Sequence, residues 1–362
     1  MRRRVCIFIG SRANYSSIKS VMSEIKRNRH LELQVVLGAS AVLERYGNVS
    51  KLIKKDGFKI NFELNTLIEG SSPLTMAKST GIGLIDISSA FSNLKPHIVI
   101  TVGDRFETMS TVLAASYMNI TLAHTMGGEV TGTIDESIRH AITKFANIHF
   151  PASIDAKKRI IKLGENREDV HLVGCPRIDL VKEYLKKSKK DFKDLPPGVG
   201  DTINTEKPFL LVSQHPVTTE YEDAQNQIIQ TLKAVKKSNI PAIILWPNAD
   251  AGTEDISREI RKWREKGLDN KMQFYKNLPI DYYVYLMKKT ACLIGNSSSG
   301  IREGAFIGTP VINIGSRQNK RQRGKNVIDV SHNEDKIFRS ILKQVKRGKY
   351  NREFIYGNGN AG

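Results

Sequence analysis

The sequence predicts an α/β protein built from two doubly wound parallel-sheet domains that face a central cleft. Three observations lead there. Apolar runs of strand length alternate with longer segments of helical period, the βαβ rhythm of a parallel sheet covered on both faces. The rhythm stops at a stretch rich in Lys, Asp, Pro and Gly, then restarts. Polar, glycine-containing turns follow the apolar runs, at the strand ends where doubly wound sheets bind their ligands.

Taken in order, the first domain is expected over residues 1–185. Its strands are read at 5–9, 33–37, 97–102 and 120–124, with weaker ones at 148–151 and 170–173, and its helices at 16–26, 75–94 and 106–118. Residues 186–207, which include Lys-Asp-Leu-Pro-Pro-Gly-Val-Gly-Asp, read as linker and surface loop. The second domain, 208–362, has strands at 209–213, 242–245, 272–275, 292–294 and 311–314, and helices at 222–237, 254–266, 280–289 and 300–307.

Bulk properties exclude several classes. Three scattered cysteines, Cys6, Cys175 and Cys292, give neither a disulfide framework nor a CxxC metal site. Arg2, Arg3 and Arg4 precede an apolar run too short for a signal peptide, and no stretch approaches the ~20 apolar residues that span a bilayer. The chain therefore reads as cytoplasmic, with no membrane partner. A net charge of +19 invites a nucleic-acid reading, but no RNA motif, zinc finger or basic zipper accompanies it. The expectation is no nucleic acid: a solvated lysine coat, and a small anionic substrate.

Six turns carry candidate chemistry: 10–14, 103–105, 127–129, 214–216, 247–252 and 295–300. The Gly-Asn-Ser-Ser-Ser-Gly string at 295–300 reads as a phosphate site, because small residues admit an anion and the following helix offers free N–H groups. Arg302, Glu303 and Arg317 lie near it in sequence; an ordinary serine cap is the plainer reading. The GxGxxG match at 357–362 has no strand before it and is set aside. Residues 127–140 form the densest polar cluster. Thr133 and Glu136 have capping-box spacing, so a helix should begin at Ile134, with Asp135 paired to Arg139 and Glu136 to His140. Helix-end electrostatics would account for these acids by themselves. Yet Asp104, Glu129 and Asp135 all fall at strand ends or loops of one sheet, and grouped carboxylates suit proton abstraction and leaving-group chemistry. His215 follows an apolar strand directly. No HExxH or GxSxG string appears.

Taken together, Gly-Asp-Arg-Phe (103–106), the 127–144 string, Gln-His-Pro-Val-Thr-Thr (214–219), Pro-Asn-Ala-Asp-Ala-Gly (247–252) and Gly-Asn-Ser-Ser-Ser-Gly-Ile-Arg-Glu (295–303) resemble the hydrolysing UDP-N-acetylglucosamine 2-epimerases over nearly the whole chain. The resemblance implies two Rossmann-like domains in the GT-B arrangement, a sugar-nucleotide substrate, no cofactor and no metal, and a homodimer or homotetramer. It implies that Arg12, Ser16, Arg105, His215, Asn248, Ser297, Ser298, Glu303 and Arg317 hold the nucleotide and its phosphates. It implies catalytic roles for Asp104 and Asp135, with Glu129 and His215 as further candidates. The implied reaction eliminates UDP across C1–C2 to a glycal and adds water to give free N-acetylmannosamine.

The chain departs from the family at three places. Met126 stands where well-known members carry a catalytic glutamate, Asn14 replaces an acid, and 38–41 lacks a frequent histidine. These departures open a second substrate, a UDP- or GDP-linked 2,4-diacetamido-2,4,6-trideoxy sugar of the legionaminic acid route. Met126 also makes a non-catalytic sugar-nucleotide binder thinkable; a GT-B glycosyltransferase would share the fold and the phosphate site, and a non-hydrolysing 2-epimerase is ranked low because the 127–144 string follows the hydrolysing pattern. The family continues with a helix past the Gly-Asn-Ala string, so a further helix is expected beyond Gly362.

Overall fold

The computed structural model of the protein describes residues 2–44, 47–70, 72–187, 195–247, 250–276 and 278–362. The chain divides into two units: Met1–Glu129, Ile134–Leu180 and Tyr356–Gly362 form the first, and Val130–Thr133 with Val181–Ile355 form the second.

In the first unit the strands are β1 (Arg3–Ile9), β2 (Leu31–Leu37), β3 (Phe62–Glu63), β4 (Ile98–Val102), β5 (Thr121–Thr125) and β6 (Ile148–Phe150). They lie in the order β3-β2-β1-β4-β5-β6, every neighbour parallel. Val5 to Ile9 are buried without alternation, as a strand covered on both faces requires. The helices are α1 (Arg12–Arg27), α2 (Val49–Lys55), α3 (Pro73–Leu94), α4 (Phe106–Tyr117), α5 (Ile134–Phe145), α6 (Ile154–Lys162) and α7 (Pro176–Tyr184). Helix α1 starts earlier than its apolar period suggests, because the Ser11 side chain caps Asn14 N. Helix α3 has a Ser72–Thr75 capping box with Pro73 in its first turn, and buries Ser79, Gly83, Ile87, Ala90 and Phe91 along one stripe.

Two expectations fail in this unit. Residues 170–173 make only an isolated bridge, His149 to Val170, because the backbone turns away at Gly174 (φ +93°), against which the Gly357 backbone packs. The last residues, expected with the second domain, fold here instead. Cys175 N donates to Tyr356 O at 2.8 Å, and the Asp179 carboxylate accepts Ala361 N and Gly362 N at 3.0 and 2.8 Å. The GxGxxG match is thus an anchored tail.

The second unit has β7 (Val199–Gly200), β8 (Leu210–Ser213), β9 (Ala242–Leu245), β10 (Met272–Tyr275), β11 (Cys292–Gly295), β12 (Val311–Ile314) and β13 (Val327–Val330). The order is β13-β12-β11-β8-β9-β10-β7, parallel except for β7 against β10. Its helices are α8 (Ala224–Ser238), α9 (Thr253–Glu265), α10 (Ile280–Lys289), α11 (Ser298–Ile307) and α12 (Glu334–Arg347). Part of the expected linker is therefore an edge strand. A Cβ on Gly200 would lie 2.5 Å from Met272 O, so only glycine lets β7 pair so closely. Among the described residues no helix is long and apolar enough to cross a membrane.

Candidate functional site

Each sheet reverses its winding once, β1 beside β4 in the first unit and β8 beside β11 in the second. Ligands of such sheets gather at the carboxyl ends of the strands at that reversal. Arg12, Ser16, Asp104 and Arg105 follow β1 or β4, and His215, Ser297 and Ser298 follow β8 or β11; Glu129 and Asp135 come after β5, and Arg317 after β12.

In the first unit Asn14 Nδ2 donates to Val102 O at 3.1 Å, tying the start of α1 to the end of β4. Arg105 Nε donates to Glu107 Oε1 at 2.8 Å, and Glu107 is nearly buried. Ser16 spends its hydroxyl hydrogen on Arg12 O at 3.0 Å. Of the expected phosphate contacts of this unit, Ser16 is thus bonded to the Arg12 carbonyl and Arg105 to Glu107.

The acids are organised by a residue whose role the spacing hides. Arg139, on α5, is 2% exposed, and Nε and Nη2 both donate to Asp104 Oδ2, with Nε at 2.8 Å; the Asp104 side chain is 22% exposed. Arg139 Nη1 donates to Glu129 O at 2.7 Å. Burial would pull the guanidinium down. The charges of Asp104, Glu129 and Asp135 more than offset it, and its pKa rises above the ordinary arginine value. Arg139 thus holds Asp104 and the Glu129 backbone together, with Asp135 one turn away on its own helix. Besides its expected neighbour Asp135, whose charge acts on it, Arg139 is bonded to Asp104, since a buried guanidinium needs several acceptors and Asp104 presents its carboxylate to it. The reciprocal capping box does not close, because Thr133 Oγ1 is buried with no hydrogen-bond partner. The Glu136–His140 pair does form, at 3.9 Å.

Behind this cluster lies His124, fully buried on β5. Burial, with the fields of His149 and Arg139 added, pushes its pKa down to about 3, so the ring is neutral. Its Nδ1 meets Thr143 Oγ1 at 3.3 Å. The paired glycines that follow serve packing: a Cβ at Gly127 would lie 2.7 Å from His124 Nδ1, and one at Gly128 (φ +76°) 2.4 Å from Ala156 O.

In the second unit the reversal is pinned by Asn296, which is wholly buried. Its Oδ1 accepts His215 N and its Nδ2 donates to His215 O, both at 2.8 Å. Its carbonyl accepts Gln318 Nε2 at 2.9 Å and Arg317 Nη1 at 3.2 Å. Gly295 (φ +132°) is required, because a Cβ there would lie 2.2 Å from Ser213 O. Ser297 caps α11, its Oγ accepting Ser299 N and meeting Ser299 Oγ at 2.9 Å, while Ser299 Oγ bonds Tyr283 OH. Ser298 opens the helix, and Glu303 is buried one turn on. One place thus gathers His215, Ser297, Ser298 and Arg317 around the N-terminus of a ten-residue helix, where backbone N–H groups and the helix dipole favour a phosphate. Asn248 lies outside the described residues.

Arg139, Asn296, Gln318 and Tyr283 were not among the sequence candidates. Each acts by holding backbone or another side chain, and nothing in local spacing announces that. Among the described residues no group of three or more His, Cys, Asp or Glu side chains is placed to hold a metal.

A family model described as UDP-N-acetylglucosamine 2-epimerase matches residues 23–362. A relative from Legionella pneumophila, UDP-N,N'-diacetylbacillosamine 2-epimerase (hydrolyzing), is 31% identical over 99% of this chain and 93% of its own length. A Campylobacter jejuni relative, GDP/UDP-N,N'-diacetylbacillosamine 2-epimerase (hydrolyzing), is 33% identical over 94% of this chain and 88% of its own. Among solved structures, the Neisseria meningitidis UDP-GlcNAc 2-epimerase bound to UDP-GlcNAc has a TM-score of 0.80 over 99% of this chain and 97% of that one, at 19% identity. At that identity the likeness speaks for the fold, which is of the expected GT-B-like class.

Proposed function

Because the chain belongs to the UDP-N-acetylglucosamine 2-epimerase family, we propose that it is a hydrolysing 2-epimerase of a nucleotide-linked 2-acetamido sugar. The substrate is UDP-N-acetylglucosamine and the products are UDP and N-acetylmannosamine. A carboxylate takes the proton from C2, the C–H pair becomes the C1–C2 double bond, and the C1–O bond breaks with its electrons going to the diphosphate. Water then adds hydroxyl to C1 and hydrogen to the opposite face of C2.

The second unit supplies the leaving-group side. His215, Ser297, Ser298, Arg317 and the α11 N-terminus take up the charge that builds on the departing phosphate. Asn248 and Glu303 would read the nucleoside. Arg12, Ser16 and Arg105 belong to the nucleotide contacts in this reading. The first unit supplies Asp104, Asp135 and Glu129 for proton transfer. Asp104 accepts two N–H groups from Arg139, so its carboxylate is occupied in holding that side chain. Asp135, in the first turn of α5 and half-buried, is then the better candidate base. The observation that carries the reading is this Arg139-centred group of acids, which simple nucleotide binding does not require.

The enzyme reads as cytoplasmic and as a dimer or tetramer. A second substrate is favoured by a specific observation: the relatives at 31% and 33% identity are named for diacetylbacillosamine, a 2,4-diacetamido sugar. The test is incubation with each sugar nucleotide in D₂O without acceptor, followed by NMR. Free N-acetylmannosamine with deuterium at C2, or its 2,4-diacetamido counterpart, is the expected product. A sugar that stays nucleotide-linked points to the non-hydrolysing enzyme; no release without acceptor points to a transferase or a binder.

A further inference from the structure

We propose that Tyr283 is a positioning residue: its phenol sets the direction of a hydroxyl relay that leaves Ser297 able only to donate, and so ready for a phosphate oxygen. The relay lies within the second unit, and the inference rests on the reading of the α11 N-terminus as the diphosphate site. Tyr283 stands on α10, buried in one core cluster with Leu286, Leu293 and Val311. A phenol at that depth needs a hydrogen-bond partner, and its hydroxyl meets Ser299 Oγ. Ser299 Oγ in turn meets Ser297 Oγ at 2.9 Å. Ser297 Oγ also accepts Ser299 N at 3.4 Å, as the cap of α11. Tyr283 and Ser299 are buried and Ser297 is half-buried, so of the three Ser297 is the one a ligand can reach.

A hydroxyl carries one hydrogen and two lone pairs. A phenol is the better donor than an aliphatic hydroxyl, so the relay runs from Tyr283 to Ser299 and from Ser299 to Ser297. Both lone pairs of Ser297 Oγ are then taken, one by the Ser299 hydroxyl and one by Ser299 N–H. Its own hydrogen is left to give. Such a hydroxyl turns away a donor and suits an anion, and it is oriented before the ligand arrives, which is how a donor stabilises charge without reorganising. Bonds along the chain also polarise one another. Other contacts hold α11 itself. A Cβ on Gly300 would lie 2.9 Å from Val311 Cγ1, and Asn326 Nδ2 donates to Gly300 O at 3.3 Å. Removing the phenol oxygen therefore leaves the helix in place and disturbs the hydroxyls.

The test compares the full-length wild type with Tyr283→Phe, Ser299→Ala, Ser297→Ala and the double variant Tyr283→Phe/Ser297→Ala. UDP affinity is read by calorimetry, and the affinity for uridine, which brings no phosphate, by NMR titration. Tyr283→Phe should weaken UDP binding about 5-fold, the order of one neutral hydrogen bond, and leave uridine binding unchanged. Ser299→Ala breaks the same relay at its middle and should match it, so it carries the test if Tyr283→Phe does not fold. With Ser297 already replaced, Tyr283→Phe should cost nothing further, because the two act through one chain of bonds. Unchanged UDP affinity in Tyr283→Phe or in Ser299→Ala overturns the proposal. Equal weakening of UDP and uridine overturns it too, as does the same loss on the Ser297→Ala background, because the phenol then serves packing alone. A wild type that binds no UDP, or a Ser297→Ala chain that binds it as tightly as the wild type, defeats instead the reading of α11 as the diphosphate site.

Discussion

Asp104→Asn is the most exacting test of how the first unit is built. The substitution preserves shape and removes one charge. Arg139 is 2% exposed and cannot be rehydrated without opening the core. Removing one partner of a buried pair costs about 3–5 kcal/mol, because the remaining charge is left uncompensated. Here the lower end applies: Asp104 is 22% exposed, so its side of the pair is partly wet, and Glu129 O still accepts Nη1. At ~2–4 °C per kcal/mol for a unit of this size, a loss of about 3 kcal/mol lowers the melting temperature of the first unit by roughly 6–12 °C. Differential scanning calorimetry reads it. The double variant Asp104→Asn/Arg139→Met removes both charges and should recover most of the loss, since deleting a buried pair whole is close to neutral. The reasoning is refuted if Asp104→Asn shifts the transition by less than about 2 °C, under 1 kcal/mol by the same conversion. It is equally refuted if the double variant melts no higher than the single one, because the penalty would then not come from the stranded guanidinium.

Three further outcomes are expected. Asp135→Asn should abolish turnover while leaving UDP affinity near wild type, as measured by product NMR and calorimetry; equal loss of both would assign Asp135 a structural role. Arg317→Ala should weaken UDP binding by about 1.5–3 kcal/mol, roughly 10- to 150-fold, as a lost charged hydrogen bond does, and unchanged affinity would remove it from the phosphate site. His124 has its folded pKa lowered to about 3 from 6.5. Between those values the unfolded chain binds one more proton, so stability falls with falling pH by about 1.4 kcal/mol per unit, or ~2 kcal/mol at pH 5. Urea midpoints across pH 7 to 5 should therefore slope less in His124→Gln than in the wild type, and identical slopes would contradict a buried neutral ring.

The fold was legible because its signal is local and repeated. Strands such as 242–245, 272–275 and 311–314 read as short apolar runs, broken only by Gln273 and Asn313, and they occur at those bounds. What escaped is short, or made by partners distant in sequence. Strand β3 is two residues, Phe62 and Glu63, and exists only because β2 offers an edge. Strand β7 hides in a Pro- and Gly-rich stretch and is defined by its pairing with β10. Helix α12 does carry a period, with Ile337, Ile341 and Gln344 buried, but its charges at 334–336 and 343–347 mask it. The return of Tyr356–Gly362 to the first unit depends on Asp179, which no periodicity could connect to it.

The site divides along the same line. Polar residues at strand ends stand out in a sequence, so the candidates Asp104, His215 and the 295–300 turn were conspicuous. Residues that hold those residues have no such obligation. Arg139 looks like the i+4 partner of Asp135, since helix geometry makes that the shortest available pair. Such a pair holds only two neighbours on one helix. The bonds of Arg139 to Asp104 and Glu129 join α5 to the loop after β4 and, through Nη1, to the backbone at Glu129. A guanidinium with five donors can satisfy all of this at once where lysine could not. Spacing along one helix therefore names one neighbour of Arg139 and is silent on the acceptors that burial brings to it. A buried arginine is held by whatever acceptors surround it in three dimensions, and here those acceptors include one of the acids on which the proposed chemistry depends.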